Sequence, residues 1–170
     1  MNAKQDAQDL LLKIAADAQR EPRVRLWAFT ALRKGGYDPS PADLSGPLGV
    51  VVEVPMPFGL DVLAAYADGS ARFLGAAGQL VVVEGNGTPS PNVRDVIAAG
   101  DVLLSIAPSP RARPAKPPAK DHLRLSALTA KGVHSVEVPW AEIEQGGRYE
   151  RLFVAASKLL AQVTQSGPSS

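Results

Sequence analysis

Four short β-rich segments follow one another in the first half of this chain, with gaps of only turn length between them. The segments are 49–54, 60–67, 71–74 and 80–84, and Gly or Pro residues separate them. Parallel strands need a crossover of a dozen or more residues, so strands joined this closely run antiparallel. The pattern therefore predicts an antiparallel meander of about four strands.

The strongest single turn signal is Asp68-Gly69, between Tyr66 and Ala71. Asp-Gly accepts the positive φ angles of a type I′ turn, which predicts a tight hairpin here. Across the two strands of this hairpin, Asp61 and Arg72 could pair as a surface ion pair.

Helical periodicity flanks the meander on both sides. Apolar residues recur at helical spacing in 6–19 and 22–34, which predicts a helical hairpin that ends at Gly35-Gly36. Ser90-Pro91 begins a middle helix whose apolar stripe runs to Ala107. A second strand pair, 123–130 and 133–138, turns at Lys131-Gly132, and a last amphipathic helix follows Gly146-Gly147.

This order of elements predicts an α+β fold with two amphipathic helices packed on one face of the sheet. The predicted organisation is an N-terminal helical hairpin (1–36), a linker (37–47), an α+β domain (48–165) and a disordered tail (166–170). Within the α+β domain, the Pro-rich and basic stretch 107–120 is predicted to be a mobile loop.

Composition excludes several kinds of chemistry. The 170 residues contain no cysteine, which excludes disulfides, zinc-thiolate sites, iron–sulfur clusters and a cysteine nucleophile. No signal peptide or membrane-spanning run is visible, so we expect a cytoplasmic protein without membrane contact. The net charge of +1 disfavours a general attraction to nucleic acid.

Three glutamates, Glu53, Glu84 and Glu137, lie in or at the end of Val-rich strands. They could form a carboxylate cluster that binds a cation, but alternation favours a solvated sheet face. Two histidines, His122 and His134, are not expected to pair, because the hairpin places His134 opposite Thr129. We therefore predict no metal, no cofactor and no catalytic residue from these groups.

Two weaker motifs each have a plain alternative. The segment 85–88 lies between a strand and a helix, where backbone amides can hold phosphate, but it lacks the residues of a P-loop and fits a simple turn. The P-x-x-P at 114–117 could be a polyproline ligand, although a solvated connector is the favoured interpretation.

A partner surface is the leading functional expectation. Its candidate residues are the aromatic and aliphatic side chains Trp27, Phe29, Val51 and Val82. Trp27 and Phe29 point about 200° apart on a helix, so one of them is expected to be exposed.

Two alternatives remain open. A small-ligand sensor or small enzyme would place a pocket between sheet and helices, lined by Glu53, Tyr66, Arg72 and His134. Accessory contact with nucleic acid would use the basic residues of the second helix and the Pro-rich loop, namely Arg20, Arg23, Arg25, Arg33, Lys34, Arg111 and Arg113.

The segment GVVVEV at 49–54, followed by GLDVLAAY at 59–66 and DGSARF at 68–73, resembles a family of uncharacterised bacterial proteins. That resemblance implies a bacterial origin and transfers no activity and no site residues. The element order is also similar to roadblock, longin and profilin-like domains, which implies a dimerisation or adaptor platform. Four strands precede the middle helix here, where those folds usually have two.

Together these observations predict a non-catalytic bacterial interaction or adaptor module that binds another protein or itself as a homodimer.

Overall fold

The computed structural model describes residues 3–40, 43, 46–85, 88–110 and 116–165. Its elements in chain order are α1 (Ala3–Ala16), α2 (Pro22–Lys34), β1 (Gly49–Met56), β2 (Gly59–Tyr66), β3 (Ala71–Leu74), β4 (Leu80–Val83), α3 (Pro91–Ala99), α4 (Asp101–Ile106), β5 (His122–Thr129), β6 (Gly132–Pro139), α5 (Trp140–Glu144) and α6 (Glu150–Gln165). The predicted α+β class is confirmed.

All of these strands belong to one antiparallel sheet with the order β4-β3-β2-β1-β5-β6. The meander β1 to β4 forms as predicted, and the β5–β6 hairpin pairs with the remaining edge of β1. The two strand groups therefore make a single six-stranded sheet, with β1 and β2 at its centre.

The main core lies between one face of this sheet and the helices α3, α4 and α6. Alternate strand residues such as Val50, Leu63 and Leu125 are buried there. Val96 of α3 and Leu159 of α6 pack against them. The prediction that amphipathic helices cover one sheet face is confirmed, and we call this side the helix face.

The predicted middle helix is divided at Gly100 into α3 and α4. Gly100 has helical backbone angles, φ −64° and ψ −18°, so its conformation does not require glycine. A Cβ at this position would lie only 2.4 Å from Val50 Cγ2. Gly100 is therefore needed for the close approach of this helix junction to β1.

The N-terminal helices dock at one end of the sheet through a second, smaller core. Phe29 and Leu32 of α2 pack there with Leu48, just before β1, and Ala130, just after β5. The Arg33 guanidinium also donates a hydrogen bond to the Ala130 carbonyl. The helical hairpin is thus attached where β1 begins and β5 ends.

The β2–β3 hairpin forms at Asp68-Gly69 as predicted, but its turn type differs. The Gly69 N–H donates to the Tyr66 carbonyl at 3.0 Å, and the Tyr66 N–H donates to the Ser70 carbonyl at 2.9 Å. Only Gly69 in this turn has a positive φ, at 92°. A type I′ turn needs two positive φ angles, so this is a three-residue loop with glycine in the left-handed position.

Two predicted cross-strand pairs are wrong for reasons of register. Thr129 pairs with Gly132, so the loop is Ala130-Lys131 and His134 lies opposite Ala127. Arg72 lies opposite Ala64, which places Asp61 on the other face of the sheet. Asp61 therefore points to the helix face and cannot meet Arg72.

We predict that Gly100→Ala lowers the free energy of unfolding by about 1–3 kcal/mol, because the added methyl group overlaps Val50. Urea unfolding measures the change. In a Val50→Ala background the same substitution should cost much less, since the clashing methyl group is gone. An equal loss in both backgrounds would contradict the steric explanation.

Candidate functional site

The face of the sheet opposite the helix face carries two rows of side chains that cross all six strands. We call it the outer face. The first row, from β6 to β4, is Glu137, Arg124, Glu53, Val62, Leu74 and Leu80. The second row is Ser135, Ser126, Val51, Ala64, Arg72 and Val82.

The β1, β5 and β6 side of the outer face is mostly polar, and its central residues are buried. Arg124 is only 1% exposed, and its Nη1 lies 3.4 Å from a Glu53 carboxylate oxygen. Its Nη2 donates to Glu137 at 2.7 Å and to the Lys116 carbonyl at 2.6 Å. The guanidinium thus joins three neighbouring strands and holds the segment at Lys116 against the sheet.

The prediction that Glu53, Glu84 and Glu137 share a solvated sheet face is wrong. Glu53 is buried and forms an ion pair with Arg124. Glu137, the second carboxylate that binds Arg124, is partly exposed. Glu84 lies at the far edge of the sheet and is exposed. Sequence reasoning missed Arg124, although its alternation with Leu123 and Leu125 in β5 placed it on the side away from the core.

The β2, β3 and β4 side of the outer face carries exposed apolar residues beside Arg72 of β3 and buried Ala64 of β2. Leu74 is 47% exposed, Leu80 64% and Val82 39%, while Val62 is half-buried. We call these four residues the outer patch. The patch ends at β4, an edge strand with no partner on its far side among the described strands.

The candidate partner residues lie in three different places. Val82 belongs to the outer patch, and Val51 is half-buried in the same row. Trp27 is 62% exposed on α2, whereas Phe29 is 1% exposed in the small core. The expectation that only one of these two aromatic residues is exposed is confirmed.

The candidate pocket residues lie on both faces of the sheet. Glu53, Tyr66 and Arg72 lie on the outer face, but His134 lies on the helix face. Buried His134 has its Nδ1 2.7 Å from the Ala107 carbonyl and its Nε2 3.2 Å from Thr129 Oγ1. The sheet separates His134 from the other three residues.

Tyr66 lies in a positively charged environment on the outer face. The Arg23 guanidinium lies 5.9 Å from the centre of its ring. Burial raises the pKa of the Tyr66 hydroxyl, and the nearby charges of Arg23 and Arg72 act in the opposite direction. The hydroxyl therefore stays protonated at neutral pH.

The basic residues in α2 and just before it mostly bind within the helical hairpin and the sheet. Arg20 pairs with Asp17 at 3.4 Å, and Arg23 pairs with Glu21. Arg25 donates to the Ala15 carbonyl at 2.9 Å.

Arg33 donates to the Ala130 carbonyl, and its burial lowers the pKa of the guanidinium. Lys34 is exposed. Arg111 and Arg113 lie outside the described residues, as do part of the P-x-x-P motif, part of the 85–88 segment and the tail 166–170.

The described part of the chain offers neither a metal site nor a membrane-spanning helix. Within it, no group of three or more His, Asp or Glu residues is placed to hold a metal ion. None of the helices described is long and apolar enough to cross a membrane.

Comparisons of the chain with protein-family models, with curated proteins and with solved structures find no match.

We predict that Arg124→Met lowers the free energy of unfolding by about 3–5 kcal/mol, because the buried Glu53 carboxylate loses the opposite charge of Arg124. Urea unfolding measures this loss. The matched control is Glu137→Gln, which removes the more exposed partner and should cost at most about 1 kcal/mol. Adding Glu53→Gln to Arg124→Met should recover part of the loss. Equal costs for the two single variants would contradict a structural role for the buried pair.

Proposed function

We propose that this chain is a protein-interaction module that pairs with a second copy of itself through β4 and the outer patch. The proposal includes the setting expected from the sequence, a bacterial cytoplasmic adaptor. One observation carries it: exposed apolar residues of the outer face are contiguous, and they end at β4, whose far edge pairs with none of the described strands. Such edges are the usual template for pairing with another chain.

Contiguity distinguishes the outer patch from ordinary surface residues. Val62 is paired with Leu74, and Leu74 with Leu80, on neighbouring strands. Val82 lies two residues along β4, on the same face as Leu80. Isolated exposed apolar side chains need no explanation, but a connected apolar patch supports a binding role.

The residue composition of β4 supports a second copy of this chain as the binding partner. Natural edge strands carry charges, prolines or bulges that prevent pairing, and Leu80–Val83 consists only of Leu and Val. Antiparallel pairing about Val81 would place Leu80 of each copy opposite Val82 of the other. In this register Leu80 meets Val82 and Val81 meets Val81, whereas Val83 lies opposite Gln79. No like charges lie opposite each other within Leu80–Val83.

The expected association is reversible. The strand has only four residues, so the paired edge is short. Interfaces that bury less than about 1,200 Å² are typical of transient complexes. We therefore expect a monomer–dimer equilibrium that shifts with protein concentration.

We predict that Val82→Lys abolishes the dimer, because two lysines would be brought to one apolar interface. Sedimentation equilibrium or light scattering after gel filtration over a concentration series measures the mass. The matched control is Val154→Lys, which changes a similarly exposed valine on α6 and should leave the dimer intact. A wild-type chain that remains monomeric at the highest concentration would refute the proposal.

A cross-link provides a second measurement that does not depend on the lysine variant. The chain contains no cysteine, so Leu80→Cys combined with Val82→Cys introduces the only thiols. In the proposed register these residues face each other in the two copies, and mild oxidation should give a covalent dimer. The same pair of substitutions at Val154 and Lys158 should give none. Cross-linking of the α6 pair alone would contradict the β4 interface.

A further inference from the structure

A cavity opens on the helix face, on the opposite side of the sheet from the outer patch. It has a volume of about 170 Å³ and lies between the sheet and α6. Its apolar wall includes Val54, Phe73, Trp140, Phe153 and Leu160. An apolar cavity of about 150 Å³ is large enough to hold benzene, so this one can take a small aromatic ring.

The aromatic wall of the cavity is ordered but only partly covered. Trp140 of α5 and Phe153 of α6 meet edge to face, with ring centres 5.5 Å apart and planes at 90°. Both rings pack against the main core, yet both are only half-buried. The wall thus has apolar surface that a ligand would remove from water.

Asp61 is a carboxylate in this otherwise mainly apolar wall. It lies on the helix face of β2, opposite Val54 and two residues from buried Leu63. Its Oδ1 accepts a hydrogen bond from the Ala76 N–H at 2.7 Å. No ion pair joins Asp61 to any of the described residues, and no Lys or Arg lines the cavity.

From this combination we infer that the cavity binds a small aromatic or branched organic cation. The apolar body would lie against Phe73, Trp140 and Phe153, and the ammonium group would face Asp61. A carboxylate beside an apolar wall favours a cation, because it gains an opposite charge at short range. An anion of equal size would be repelled by the same group.

A purely structural role for Asp61 makes a different prediction. Its bond to the Ala76 N–H fixes the turn between β3 and β4, and a neutral oxygen acceptor serves that purpose equally well. Asp61→Asn keeps an oxygen acceptor and removes the charge. The variant therefore separates turn stabilisation from recognition of a cation.

Benzylammonium is the probe, compared with benzyl alcohol and benzoate of similar size. Titration of ¹⁵N-labelled full-length protein up to roughly 10 mM probe covers the weak affinities expected of fragments. We expect saturable shifts of the Trp140 indole and of backbone signals of Asp61 and Phe153. We also expect benzylammonium to bind about fivefold more tightly than benzyl alcohol, as expected of a partly exposed ion pair. Benzoate should bind most weakly.

Asp61→Asn should remove the roughly fivefold preference for benzylammonium over benzyl alcohol while leaving the unfolding midpoint nearly unchanged. Ser157 is exposed and borders the cavity, so Ser157→Phe should block the entrance and abolish binding of both probes. Its matched control is Ala161→Phe, which adds the same ring to an exposed position of α6 that does not border the cavity.

The absence of saturable shifts, or unchanged binding to Ser157→Phe, would overturn the cavity as a site. Equal affinity for benzylammonium and benzyl alcohol, or an unchanged preference in Asp61→Asn, would overturn the assignment to cations. These measurements concern the helix face, so they stand or fall separately from dimerisation through β4.

Discussion

The pairing of β1 with β5 joins the two halves of this protein, and a buried arginine marks that junction. Arg124 of β5 lies between Glu53 of β1 and Glu137 of β6 on the outer face. Without the β1–β5 pairing, the meander and the second hairpin would be separate sheets. A buried ion pair gives little net stability, but a shift of register between β1 and β5 would separate Arg124 from Glu53 and bury their charges unpaired.

The same junction accounts for the difference in polarity and burial between the two halves of the outer face. Over β5 the guanidinium also binds the Lys116 carbonyl, so a chain segment covers that part of the sheet. Over β3 and β4 the rows continue with the exposed residues Leu74, Leu80 and Val82, and with Arg72 opposite Val82. The outer face thus combines buried charges that are paired within the chain with apolar residues that are exposed. The exposed apolar residues are the part that another protein could contact.

The two faces of the sheet support two separate proposals. On the helix face, α6 covers the core but leaves a cavity beside Trp140 and Phe153, with Asp61 in its wall. On the outer face, the patch reaches the edge strand β4. Because the sheet lies between them, a ligand in the cavity and a partner on β4 would not compete for the same atoms.

Local patterns in the sequence predicted most of the elements, but they did not predict the short helix α5 and they joined α3 and α4 into one helix. Alternation predicted the strands, helical spacing predicted α2 and α6, and Asp68-Gly69 predicted the β2–β3 hairpin. These signals can be recognised because they involve residues that are neighbours in the chain. Turn details were less accessible. The β2–β3 turn has another type than predicted, and the β5–β6 hairpin pairs Thr129 with Gly132, a register two residues from the predicted one. Hairpin register depends on the turn type and loop length that the chain adopts.

The candidate site was predictable only in part. Val82 was recognised because a valine-rich strand end is visible in the sequence, and it is exposed in the patch. Arg124 and Asp61 were not recognised, since a charged residue in a strand usually indicates a solvated position. Arg124 acquires its role from Glu53, which is 71 residues away in the chain. Asp61 acquires its surroundings from α5 and α6, which follow much later.

The sequence by itself thus determined the identity of most elements, the antiparallel sense of the meander and the α+β class, because each follows from local geometry and short connections. Only the tertiary structure decided that β5 joins β1, that Gly100 must approach Val50, and which charges are buried. Those features depend on contacts between residues distant in the chain. Such contacts form, and contribute to stability, only when the sheet and the helices pack together.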